Sequence, residues 1–143
     1  MLFNLTLGKE YSKDTVQKAL EIAQLTDVIK RLDLGLDTLV GKDGIKLSGG
    51  QRQRVAIARM ILSDPKVVIF DESTSALDVH TEVRLFDALH DFLSQKTVIT
   101  IAHRLSTIKS AEFIYVLEDG KVVDSGTPKA LLAKDESYFS SMV

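Results

Sequence analysis

The chain has 143 residues, 45% of them hydrophobic, which lets a single domain of ordinary size bury a real core, so disorder is not expected. Its 18 basic residues against 20 acidic ones leave no sequence-wide field to draw it to nucleic acid or to an anionic membrane. The absence of cysteine excludes disulfides and thiolate metal sites and fits a reducing compartment such as the cytosol. The longest apolar runs, at Val67–Phe70 and around Val116–Leu117, fall far short of the ~18 residues a membrane helix requires. Met1 is followed by Leu2, Phe3 and Asn4 with no basic segment before an apolar stretch, so no secretory signal is expected.

From Ser12 to Leu32 the apolar residues Val16, Ala19, Leu20, Ala23, Val28, Ile29 and Leu32 recur at helical spacing. That predicts one or two helices, with Ser12 or Asp14 as the cap. Gly35, Gly41 and Gly44 then break the pattern, leaving Leu36–Lys46 as a loop with at most a short extended piece. Ser48-Gly49-Gly50-Gln51 has capping-box spacing and predicts a helix from about Gly50 to Ser63, stopped by Asp64-Pro65. Lys66–Phe70 is a β-branched apolar run of the kind found in strands buried on both faces, and Asp71-Glu72 ends it. Val83, Phe86, Leu89 and Phe92 mark the core face of a helix over Val79–Leu93, and Thr97–Ala102 reads as a second buried strand. Strand, helix, strand implies a parallel crossover unit. Phe113–Leu117 and Lys121–Asp124 flank the hairpin signal Asp119-Gly120, and Thr127-Pro128 opens a closing helix. The expected division is a helical portion over 1–63 and an α/β portion over 64–143.

Leu47-Ser48-Gly49-Gly50-Gln51 joins two residues without side chains to the exposed amides of a helix N-terminus. This is either a site for an anion such as a terminal phosphate or a glycine-rich cap and nothing more. Val67–Phe70 delivers Asp71 and Glu72 to the C-terminal edge of a strand, where open α/β sheets bind ligands. As chemistry, Asp71 holds Mg²⁺ and Glu72 orients and deprotonates a water attacking phosphorus; as structure, the two acids cap the next turn. His103 follows the second strand, so in a parallel sheet it reaches the same edge. His80 and His90 read as ordinary histidines, and no spacing resembles a zinc site.

The order of these pieces is informative: Leu47–Gln51, then Asp71-Glu72, then Ser75-Ala76-Leu77-Asp78, then Ala102-His103-Arg104. It resembles the ABC ATPase family, with its signature motif, Walker B strand, D-loop and switch histidine in that order. The likeness extends through Gln51-Arg-Gln-Arg54 and Val55-Ala-Ile-Ala-Arg59 and covers nearly the whole chain. Phe70–Asp78 and Ala102–Thr107 look like the exporter branch. The resemblance implies an α/β, partial P-loop NTPase fold, with a helical signature subdomain beside a parallel-sheet catalytic core. It also implies ATP and Mg²⁺ as cofactors. Ser48, Gly49, Gly50 and Gln51 would meet the γ-phosphate of ATP held by a second ATP-binding domain packed head to tail. Asp71 would serve the metal, Glu72 would be the general base, His103 would sense the γ-phosphate, and Ser75 and Asp78 would communicate across the dimer. Partners would be that second domain and the transmembrane domains of a transporter, with no nucleic acid, at the cytoplasmic face of a membrane.

The family's phosphate loop, G-x-x-x-x-G-K-[ST], does not occur in these residues. Gly44 to Gly49 has the glycine spacing, but Gly50-Gln51 follows instead of lysine and a hydroxyl residue. The family's adenine-stacking aromatic and glutamine loop are expected upstream, since Asn4-Leu5-Thr6-Leu7-Gly8 resembles the segment just after that loop. Two departures are Lys42, where exporters usually carry an acid, and Ser73, where alanine is common. The expected consequences are little or no ATPase activity for this chain alone and an exposed sheet edge open to self-association. Two other classes fit parts of the pattern: a non-transport ABC ATPase acting on DNA or ribosomes, and a non-catalytic module lending its signature motif to a complete partner. The Ala102–Thr107 stretch and the lack of a basic patch argue against the first of these.

Overall fold

A computed structural model describes residues 1–42, 44–71, 77–101 and 110–134. They fall into two compact units, Met1–Thr100 and Ile101–Val143.

The first unit opens on a helix too short to show a periodicity, α1 (Leu2–Thr6), which buries Leu5 and Thr6. Helix α2 (Lys13–Ile22) starts at Ser12, whose hydroxyl accepts from the Thr15 amide at 3.1 Å, so Ser12 and not Asp14 is the cap. It ends in a Schellman motif: the Leu25 amide donates to the Leu20 carbonyl at 2.8 Å and the Gln24 amide to that of Glu21 at 3.0 Å. Gln24 fills the left-handed position, φ 56°, that glycine usually takes, and the flanking Leu20 and Leu25 are both buried. Helix α3 (Thr26–Lys30) follows at once, so this stretch is two helices. In the loop beyond, the regular structure among the described residues is one 3-10 turn at Gly35–Asp37 and a bridge between Val40 and Ile45.

Helix α4 (Gly49–Ser63) buries Val55, Ile57, Ala58 and Leu62 and packs against α1 and α2. Its Arg59 reaches α1, where Nε donates to the Asn4 carbonyl and Nη2 to Asn4 Oδ1 at 3.3 Å. Asp64 turns left-handed at φ 45°, and Pro65 cannot continue the helix. Strand β1 (Val67–Asp71) then pairs with β2 (Thr97–Ile101) across the intervening α5 (Val79–Leu93). The Thr97 amide meets the Lys66 carbonyl at 3.0 Å, start against start, so the two strands run parallel as the crossover pattern predicts.

Neither strand is buried on both faces. Val68 and Phe70 are buried, the Phe70 ring meeting Phe86 edge-on at 5.8 Å, but Val67 and Ile69 are 51% and 64% exposed and β2 is exposed throughout. An apolar run reports a capacity for two covered faces, whereas among the described residues these strands form a two-stranded sheet packed only at Val68 and Phe70 of β1. The core face of α5 also differs from the expected one. Leu85 and Leu89 are fully buried, Phe86 and Phe92 half-buried, and Val83 is 54% exposed. Successive three-residue steps drift about 60° each around a helix of 3.6 residues per turn, so Val83 leaves the stripe that Leu85, Leu89 and Phe92 keep. Ahead of β2, Lys96 lies 4.4 Å over the Phe92 ring and bonds Asp64 Oδ1 at 2.6 Å, tying the end of α4 to the start of the sheet.

In the second unit β3 (Ile114–Glu118) and β4 (Lys121–Gly126) form an antiparallel hairpin. Asp119 and Gly120 both take positive φ, 48° and 74°, as the two-residue turn requires. Val116 faces Asp124 while Leu117 faces Val122, so Val123 is the extra residue of a bulge. Helix α6 (Pro128–Leu132), capped by Thr127, buries Leu131 in a small cluster with Val116. The packing of α5 makes a direct prediction for urea unfolding: Leu85→Ala costs about 2–5 kcal/mol, whereas Val83→Ala stays within about 0.5 kcal/mol.

Candidate phosphate-binding edge

The first turn of α4 is built from a reciprocal pair. Ser48 Oγ accepts from the Gln51 amide at 3.2 Å, and Gln51 Oε1 accepts from the Ser48 amide at 2.8 Å. Two of the donors that a helix start leaves unpaired are thereby satisfied, and the Gly49 and Gly50 amides remain in the same turn with no side chain to shield them. Ser48 is exposed, and because its oxygen is the acceptor its hydroxyl proton is available to a ligand; Gln51, with Oε1 engaged, offers Nε2. This donor set, on the positive end of a 15-residue helix, suits a phosphate.

Two arginines brace that turn, and the sequence, where Gln51-Arg52-Gln53-Arg54 carries part of the family likeness, assigns neither of them a role. Arg52 Nη1 donates to the Leu47 carbonyl at 2.8 Å from an exposed position. Arg54 is half-buried; its Nη1 donates to the Gln24 carbonyl at 2.6 Å and its Nε lies 3.4 Å from the Gly50 carbonyl. Burial pushes its guanidinium below the ordinary value, while the nearby Asp78 carboxylate favours the charged form and Arg84 opposes it. The signal that could have revealed Arg54 is its position one helical turn beyond Gly50.

Asp71 stands exposed at the C-terminal end of β1, a hard oxygen donor of the kind Mg²⁺ takes. Asp78 caps α5, its Oδ1 accepting from the Thr81 amide at 3.0 Å, and the Thr81 hydroxyl, together with that amide, holds its carboxyl below the usual range. Glu72, Ser75 and His103 lie outside the described residues. His80 and His90 are exposed. A cavity of about 340 Å³ beside α4 and β1 is lined by apolar residues including Ile57, Met60, Pro65 and Phe70, with no titratable side chain, and stands apart from this chemistry. Among the described residues no helix is long and apolar enough to cross a membrane, and no group of three metal-ligating side chains forms.

A family model described as ABC transporter matches residues 4–75, half of the chain, taking in the α4 start and the end of β1. The chain belongs to the ABC transporter family. An ATP-dependent lipid A-core flippase of Vibrio vulnificus (strain CMCP6) is 49% identical to this ABC transporter chain over 92% of its length, which is 22% of the flippase. ABC transporter B family member 21 of Arabidopsis thaliana is 42% identical over 98% of the chain and 11% of that protein. Among solved structures, a bacterial Atm1-family ABC exporter with ATP bound overlays 98% of the chain at 41% identity and a TM-score of 0.87, covering 24% of that exporter chain. The chain thus spans about a fifth of the length of the first curated relative.

The Asp78 cap predicts a pH dependence. Because folding lowers this carboxyl's pKa, its contribution is complete above the unfolded value of about 3.9 and fades as pH falls through the folded value. Asp78→Asn, which caps without titrating, should match the wild type in urea at neutral pH and lose less stability than it on acidification.

Proposed function

We propose that the chain is the part of an ABC exporter's ATP-binding domain that runs from ahead of the signature motif past the switch histidine, coupling ATP hydrolysis to transport across a membrane. The observation that carries this reading is the overlay of 98% of the chain on an ATP-bound Atm1-family exporter at 41% identity. The flippase relatives, named as ATP-dependent, support it. The chain sits at the cytoplasmic face beside transmembrane domains and a second, head-to-tail ATP-binding domain. Residues 1–63 bring the signature turn and residues 64–143 the hydrolytic edge. In isolation, the open edge of the β1–β2 pair is where self-association would occur.

The residues present fit one half of a nucleotide site. The Gly49 and Gly50 amides and the Ser48 hydroxyl bind the terminal phosphate presented by the second domain, and Gln51 steadies Ser48 while offering Nε2. Asp71 is the carboxylate for Mg²⁺, and Ser75 and Asp78 carry the state of one half-site to the other. Glu72 takes the proton of the attacking water, and His103 senses the γ-phosphate. When bound, ATP–Mg²⁺ supplies the transferable phosphoryl group and the metal charge that offsets the build-up of negative charge.

In the full-length transporter, Glu72→Gln should still bind ATP and dimerise while turnover falls at least ~100-fold; unchanged turnover rejects Glu72 as base. His103→Ala should lower kcat more than it weakens ATP binding, and an equal loss of both removes the sensing role.

A further inference from the structure

Gly49 and Gly50 start α4, and a glycine pair leaves a helical turn prone to fray because each residue loses more conformational freedom on ordering than any other. A turn that must present two amides to a phosphate needs those amides already aimed, since reorganisation at the moment of binding costs transition-state stabilisation. The capping box pins Ser48 and, through the Gln51 amide, the Gly50–Gln51 peptide, but neither of its bonds is made by the Gly49 or Gly50 N–H.

The Gly50 carbonyl belongs to the peptide unit that follows the Gly50 amide, and it is approached by Arg54 Nε at 3.4 Å. The same guanidinium is anchored at 2.6 Å to the Gln24 carbonyl, in the left-handed turn closing α2. The fork geometry of arginine lets one side chain hold two carbonyls on different elements, and its planar head sheds water more readily than an ammonium does. Half-buried, this bond is screened less than the exposed one from Arg52 to Leu47. We propose that Arg54 is a positioning residue that locks the Gly49-Gly50 turn to the α2–α3 turn, setting the aim of the amides that meet the phosphate. Arg54 touches no substrate; it acts through Gly50.

This inference rests on the signature-turn function proposed above, and the test separates the two. In the full-length transporter, steady-state ATPase activity is measured for wild type, Ser48→Arg, Arg54→Ala and Arg54→Lys, with urea midpoints recorded alongside. Ser48→Arg, which fills the phosphate position, should abolish turnover. Arg54→Ala should lower kcat about tenfold or more while KM for ATP stays within about twofold, because the nucleotide is gripped chiefly by the phosphate loop of the second domain. Arg54→Lys, which reaches one carbonyl but cannot fork to two, should fall between Ala and wild type in kcat. If Arg54→Ala does not fold, the Lys variant alone decides. Wild-type kcat in the folded Arg54 variants, or a rise in KM matching the fall in kcat, overturns the positioning role while the signature-turn reading stands. Normal turnover in Ser48→Arg overturns both.

Discussion

The start of α4 is built on one conflict: the residues that bare its amides also weaken the helix that carries them. In a helix interior each glycine is less favourable than alanine by about 1 kcal/mol. A side chain at either position would stabilise the turn but leave its amides less open. The chain keeps the glycines and takes its rigidity from neighbours. Ser48 and Gln51 bond reciprocally, Arg52 holds Leu47 ahead of the turn, and Arg54 holds Gly50 within it. The stiffness of this turn therefore comes from the side chains around the glycines and not from the glycines themselves.

A second constraint shapes the sheet. Two strands alone are marginal in water, so β1 and β2 persist through what is packed or bonded to them. Phe70 against Phe86 seals the inner face, and Lys96, stacked on Phe92 and bonded to Asp64, fixes the point where both strands begin. With the strand starts tied together, the parallel pairing carries Asp71 to the far end of β1, away from the Asp64–Lys96 link. The outer face keeps Val67 and Ile69 in the open, apolar residues that suit a further layer.

Much of this was legible in the sequence because the signals are local. The Ser48–Gln51 capping box, the Asp64-Pro65 stop, the Asp119-Gly120 turn and the Thr127 cap all operate within a few residues and appear where their chemistry places them. The motif order that marks the family is equally a linear property. What could not be read depends on tertiary surroundings. The apolar runs of β1 and β2 do not state how many layers cover them, and the four residues of α5 spaced by threes match a stripe only approximately, which sent Val83 to the wrong face. The contact of Arg54 with the Gln24 carbonyl could not be read because that carbonyl is a backbone atom 30 residues away and has no side-chain signature.

That last contact also accounts for an oddity in α2. A Schellman turn favours glycine at its left-handed position, and glutamine there carries a steric penalty of about 1–2 kcal/mol. Leu20 and Leu25 offset part of it by burying their side chains on either side of the turn, and the Gln24 side chain adds a bond from Nε2 to the Glu21 carbonyl at 3.3 Å. The conformation turns the Gln24 carbonyl to Arg54, so the strained residue supplies the acceptor that anchors the guanidinium. Strain in the α2–α3 turn and order in the α4 turn are thus two ends of one interaction. Neither turn can shift without breaking a half-buried, charge-assisted bond, and bonds of that kind are among the costliest to leave unmade.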